Sequence, residues 1–178
     1  MFENSQLVRG AMAGAVATVP MTMAMTRLRE QLPEWQRQQP LPPVEVTARA
    51  ENRVGVNWYQ ETHKAAAVVA HFGYGALCGA LYGLIANRFR QREVVKAPVF
   101  ALGVWAISYF GWLPALRLMP NAKNLPRERN TMMILSHIVW GLALSRFIKQ
   151  DPKKIIREAM KGASGGQKSA KLARRVLG

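Results

Sequence analysis

Ala70-His71-Phe72-Gly73-Tyr74-Gly75-Ala76-Leu77-Cys78-Gly79-Ala80-Leu81-Tyr82-Gly83 is the stretch from which the rest of the chain can be read. Gly75, Gly79 and Gly83 recur at every fourth residue and share one helix face, with Ala76 and Ala80 beside them. In water this much glycine weakens a helix by about 1 kcal/mol per residue relative to alanine. In a bilayer the same residues make a groove into which a second helix settles closely. The stretch therefore predicts a packed membrane helix. The surrounding sequence agrees, because residues 65–87 contain no Lys, Arg, Asp or Glu.

Three further blocks have the same character. Residues 7–26 carry only Arg9, residues 97–116 carry no charge, and residues 131–148 carry only Arg146. A transmembrane helix needs about 20 predominantly apolar residues. The expected fold is an all-α integral membrane four-helix bundle over residues 1–148, with spans at about 7–26, 65–87, 97–116 and 131–148. An outer loop at 27–64 and a basic cytoplasmic tail at 149–178 complete the chain. The last span is the shortest and relies on Arg146 reaching the interface with its long side chain. The first block also reads as a signal peptide, since Arg9 precedes an apolar run. Cleavage there would discard a helix whose Gly10, Gly14 and Ala17 are suited to packing, and would leave an odd number of spans.

The chain has 178 residues, with 25 Lys and Arg against 10 Asp and Glu, a net charge of +15. Such a charge invites a nucleic-acid reading, but its distribution argues against one. Residues 149–178 hold nine basic and two acidic residues, whereas the apolar blocks are nearly uncharged. The expected partners are the lipid bilayer, anionic lipid headgroups through the basic tail, and a membrane-protein partner or second copy, with no nucleic acid. Four spans put both termini on one side. The positive-inside rule makes that side cytoplasmic, because the 88–96 loop has four basic residues and the chain from Arg146 onward has ten.

Within the outer loop, Pro43 suits the first turn of a helix. Val44 to Val54 follow as a short amphipathic helix ended by Gly55, with Trp58 and Tyr59 at the lipid boundary. Pro114 bends or ends the third span. Pro152 opens a surface helix in the tail. Cys78 has no second cysteine to pair with and reads as a small packed residue.

His71-Phe72-Gly73-Tyr74-Gly75 is echoed by His137-Ile138-Val139-Trp140-Gly141, both His-x-x-aromatic-Gly. The echo suggests two pseudo-symmetric helical hairpins. Histidine inside a span faces the bundle interior, and equal offsets from the span starts put His71 and His137 at similar depth. Two readings of the pair are open. Each imidazole bonds a nearby Ser136, Tyr74, Tyr109, Ser108 or Thr22 and fixes helix register, or both bind haem b or another pigment or metal. Gly10, Gly14, Gly75, Gly79, Gly83 and Gly141 are the expected helix-packing residues. No catalytic residues and no metal site are expected. The sequence has no cysteine pair, no phosphate-binding glycine loop, no His-Glu-x-x-His, and no Asp or Glu within a span.

Five segments carry a family resemblance. They are Gly14-Ala15-Val16-Ala17-Thr18-Val19-Pro20-Met21-Thr22, Leu41-Pro42-Pro43, His71 to Gly75, Val104 to Pro114, and His137 to Gly141. Together they resemble the YagU-like four-span bacterial inner-membrane proteins, a domain of unknown function. The resemblance covers about residues 7–148 and leaves out the tail. It implies a multi-pass protein of the bacterial inner membrane and brings no activity with it. The expected function is a non-catalytic scaffold, accessory or stress-related component. A haem- or pigment-binding redox helper ligated by His71 and His137, and a small-solute transporter or channel, are the alternatives.

Overall fold

The computed structural model describes residues 2–56 and 60–150, and over these residues the regular structure is entirely helical. Helix α1 spans Phe2–Arg29 and α2 is one turn, Glu34–Arg37. Helix α3, Pro42–Val54, has proline in its first turn and ends at Gly55, whose φ of 71° is the left-handed cap that glycine adopts freely. Helix α4 is Gln60–Ile85 and α5 is Glu93–Ile107. A widened π turn, Ser108–Trp112, leads into α6, Leu113–Ala115, and α7 is Arg127–Phe147. The π turn has a local cause. Pro114 has no N–H to give to the carbonyl of Phe110, and its ring crowds that carbonyl, so the preceding turn opens. Trp58, Tyr59 and the tail beyond Gln150 lie outside the described residues.

Among the described residues three stretches are long and apolar enough to cross a membrane: Gln6–Arg29, Thr62–Arg88 and Glu93–Ala115. Helix α7 is different because Arg127, Glu128 and Arg129 occupy its first turn. It is also an interior helix, with Met133, His137, Trp140 and Leu144 all buried.

The four long helices pack in the order α4, α1, α7, α5. Helices α1 and α4 meet backbone to backbone. A Cβ placed on Gly79 would lie 2.6 Å from the Cα of Gly14, and one placed on Gly14 would lie 2.7 Å from the Cα of Gly79. Gly10 faces Gly79 and Gly83, and Gly75 faces the Thr18 hydroxyl. Only glycine fits such an approach, which brings Cα–H groups against facing carbonyls.

The second hairpin repeats the contact. A Cβ on Gly141 would lie 2.5 Å from the Cα of Pro98 and 2.8 Å from the carbonyl oxygen of Ala97. Each glycine of the His-x-x-aromatic-Gly echo thus sits against the first helix of its own hairpin. The aromatic residue one position earlier crosses to the other hairpin. Trp140 Nε1 donates to the Gly14 carbonyl at 3.1 Å, and Tyr74 Oη pairs with Ser108 Oγ at 2.9 Å.

The equivalence fails at one place. Helices α1 and α7 pack closely along their lengths, whereas α4 and α5 approach at few points. At one end of the bundle Tyr82 ties α4 to α5, its hydroxyl donating to Glu93 at 2.5 Å and its ring meeting Phe100. At the other end Tyr74 bridges to Ser108 and Trp112.

Substituting Gly79 by leucine forces a side chain into the backbone of α1. Overpacking costs about 1–3 kcal/mol where neighbours give way, and here the neighbour is backbone. Gly79→Leu is expected to lower the melting temperature in detergent markedly or abolish accumulation, whereas Gly103→Leu, with open space around its Cβ, leaves the melting profile unchanged.

Candidate functional site

Where α4 and α5 diverge, the bundle forms a cavity of about 260 Å³ that is open on one side. All four long helices contribute to its wall. Helix α4 supplies Ala70, His71 and Tyr74, and α7 supplies Met133, His137 and Trp140. Helix α1 adds Thr18 and Met21. The π turn contributes Ser108, Tyr109 and Trp112. None of the described residues lining the cavity is Asp, Glu, Lys or Arg.

Helix α3 covers one end. Its inner face, Pro42, Pro43, Val46 and Thr47, forms that part of the wall, while Arg49, Asn52 and Arg53 point outward. The cap is held by Arg129, whose side chain is only 3% exposed. Arg129 Nη2 donates to Glu45 Oε2 at 2.8 Å and to the Pro40 carbonyl at 3.0 Å, and Nη1 donates to Gln39 Oε1 at 3.0 Å. Nearby, Gln36 Nε2 donates to Glu128 Oε2 at 3.0 Å. The backbone N–H at the start of α7, with the Gln36 amide, holds the Glu128 carboxyl below its usual range. His63 Nδ1 meets Glu51 Oε2 at 2.7 Å, tying α3 to the start of α4.

The two span histidines face this one cavity. His137 is buried, and its Nδ1–H donates to the Met133 carbonyl at 2.8 Å. His71 is partly buried, and its Nε2 is shielded from solvent with no hydrogen-bond partner. Four of the five hydroxyl groups expected to bond them are engaged elsewhere. Ser136 donates to the Met132 carbonyl at 2.7 Å, Thr22 to the Thr18 carbonyl at 2.7 Å, and Tyr74 pairs with Ser108. Inside a helix a hydroxyl most easily reaches the carbonyl four residues back, and that local partner wins over a histidine on another helix. Gly10, Gly14, Gly79, Gly83 and Gly141 lie outside the cavity wall, at helix contacts. Gly75 belongs to both.

The DUF1440 family, whose members are described as proteins of unknown function, matches residues 33–145, more than half of the chain. The chain belongs to the DUF1440 family. The DUF1440 match takes in the cap, α4, α5 and nearly all of α7, and so includes Arg129, Glu45 and both cavity histidines. Helix α1 lies before it. The YagU-like resemblance is consistent with this family. No curated protein matches the chain, and no solved structure matches it.

Arg129 and Glu45 have no place among the residues singled out from the sequence. Their partnership joins positions 84 residues apart, and each alone reads as an ordinary terminal charge on its own helix. Removing one member of a buried ion pair costs about 3–5 kcal/mol. Glu45 retains some water contact, so the low end of that range applies. Arg129→Ala is expected to release the cap and raise the rate of tryptic cleavage at Arg49 and Arg53 at least tenfold, with helical content retained. An unchanged cleavage rate would show that the cap is held by its apolar face alone.

Proposed function

We propose that this protein is a non-catalytic, multi-pass component of the bacterial inner membrane whose bundle holds a small lipid-soluble molecule. The observation that carries the reading is the cavity itself, largely apolar, covered by α3, and furnished with two imidazoles. Pockets for small molecules have this character, mainly hydrophobic walls with a few placed polar groups. Among the described lining residues none is a carboxylate or an amine, and the Ser108 hydroxyl is occupied by Tyr74 and by Trp112 Nε1. Those features favour binding over chemistry. The outer faces of the helices suit lipid, since Val69, Leu77, Val99 and Ile107 are exposed.

In this reading α7 is the fourth span. It is the shortest and most enclosed, its charged first turn lying at the capped end. The positive-inside rule then places both termini and the 88–96 loop in the cytoplasm, with α3 on the outer surface. The basic tail rests on anionic headgroups.

A second reading has one observation in its favour. His71 and His137 line the same cavity, as axial ligation of haem b by facing helices requires. The volume weighs against it. An apolar cavity of roughly 150 Å³ accommodates one benzene ring, so 260 Å³ has room for a single substituted ring, and a porphyrin would require the helices to part.

Topology is checked by labelling single cysteines in a Cys78→Ala background with a membrane-impermeant maleimide. Gln38→Cys is expected to react in intact cells and Arg90→Cys only after permeabilisation; the reverse pattern overturns the orientation. Ligand binding is checked by solvent extraction and mass spectrometry of protein purified from native membranes. One small lipid-soluble compound is expected with the wild-type protein and not with Ala70→Trp, which plugs the cavity from an exposed position on α4. Identical extracts from the two proteins count against the reading, and a Soret band near stoichiometric intensity transfers the site to haem.

A further inference from the structure

We infer that the cavity recognises the head group of a lipid-soluble quinol, and binds it more tightly than the matching quinone. The inference rests on the ligand-binding reading above and specifies the ligand class.

Three observations lead to it. The first is size and shape. The volume suits one substituted six-membered ring, and the flat side chains of Trp112, Trp140 and Pro43 form part of the wall. An aromatic ring gains from offset or edge contacts with such neighbours.

The second is hydrogen bonding. His137 commits Nδ1–H to the Met133 carbonyl. As a neutral imidazole it then presents a lone pair at Nε2 and can only accept there. His71 Nε2 is buried and unpartnered, a situation with a penalty of about 1–3 kcal/mol unless something fills it. A ligand hydroxyl satisfies both. One hydroxyl donates to His137 and accepts from His71 where that ring carries its proton on Nε2; with the other tautomer a second hydroxyl donates to His71. A quinol carries two such hydroxyls on one ring. A quinone carbonyl can accept from His71 but places an oxygen lone pair against the lone pair of His137.

The third is access. Helix α3 and its Arg129 clamp close the cap end, whereas the α4–α5 seam beside it is bridged by side chains alone, with Tyr74 meeting Ser108 and Trp112. Ala70 lines the cavity and is exposed on α4. A ring entering there would leave its hydrocarbon tail among the lipid-facing side chains of Leu77 and Phe110.

The test uses the full-length protein in nanodiscs, with three probes sharing one tail: decylubiquinol kept reduced under argon, decylubiquinone and decylbenzene. Binding is read from tryptophan fluorescence and from thermal stabilisation. Decylubiquinol is expected to bind about tenfold more tightly than decylbenzene, the equivalent of one hydrogen bond of roughly 1.4 kcal/mol, with decylubiquinone between them. His137→Ala is expected to bring the ratio of decylubiquinol to decylbenzene affinity down to about one; the readout is that ratio, because opening the cavity wall alters both affinities, and a purely structural histidine lowers both without changing it. Should that variant fail to accumulate, His71→Ala, at a less buried position, is expected to lower the same ratio. Ala70→Trp abolishes binding of all three. Equal affinity for quinol and decylbenzene overturns oxygen recognition while the ligand-binding cavity stands. A quinone that binds as tightly as the quinol overturns the assigned role of His137. Failure of all three probes to bind, in wild type and variants alike, overturns this inference and the ligand-binding reading together.

Discussion

The close approach of α1 and α4 sets the geometry of everything else. With Gly10 and Gly14 against Gly75, Gly79 and Gly83, these two helices have no side chains between them along much of their length. Their larger residues therefore point to the flanks. On one flank α7 packs against α1, with Trp140 reaching the Gly14 carbonyl. On the other flank α4 reaches the α5 side through Tyr74 and Tyr82. A bundle in which one seam closes to backbone contact and its counterpart is propped open by rings encloses a space on the propped side. The cavity follows from that imbalance.

Polar groups reinforce the arrangement where they cost least. Arg129 is fully engaged by Glu45, Gln39 and the Pro40 carbonyl at the capped end. At the opposite end Arg9 donates to the Ile148 carbonyl at 3.1 Å, and Lys96 donates to the Ala86 carbonyl at 2.7 Å while pairing with Glu93. Between these ends the hydroxyls of Thr18, Thr22 and Ser136 return to their own helix backbones. Among the described residues of the cavity wall, His71 Nε2 stays buried and unpartnered.

Much of the fold could be read from local sequence, because its causes are local. A four-residue glycine period, a proline before an amphipathic run and a glycine after it each act within a turn or two. They correspond to the α1–α4 contact, to α3 and to its left-handed cap at Gly55. Pro114 announced a disturbance in the third span, but not that it would take the form of a widened turn with a kink at Gly111. Other features were hidden for a different reason. The Arg129–Glu45 pair spans 84 residues, and no periodicity links its members. The cavity is a volume left by imperfect packing of seven elements, and no single residue encodes it. The histidines stood out by type, yet their hydrogen bonds are set by competition with nearby carbonyls, which residue type alone does not reveal.

The central claim is that a tight glycine seam on one side of the bundle leaves a ligand chamber on the other. A high-resolution structure of the protein in a native-lipid nanodisc tests it most directly. The account predicts α1 and α4 in backbone contact at Gly14 and Gly79, with non-protein density of about one ring lying against His71 and His137. Lipid between α1 and α4, or side chains of the bundle itself filling the space between the two imidazoles, would contradict it.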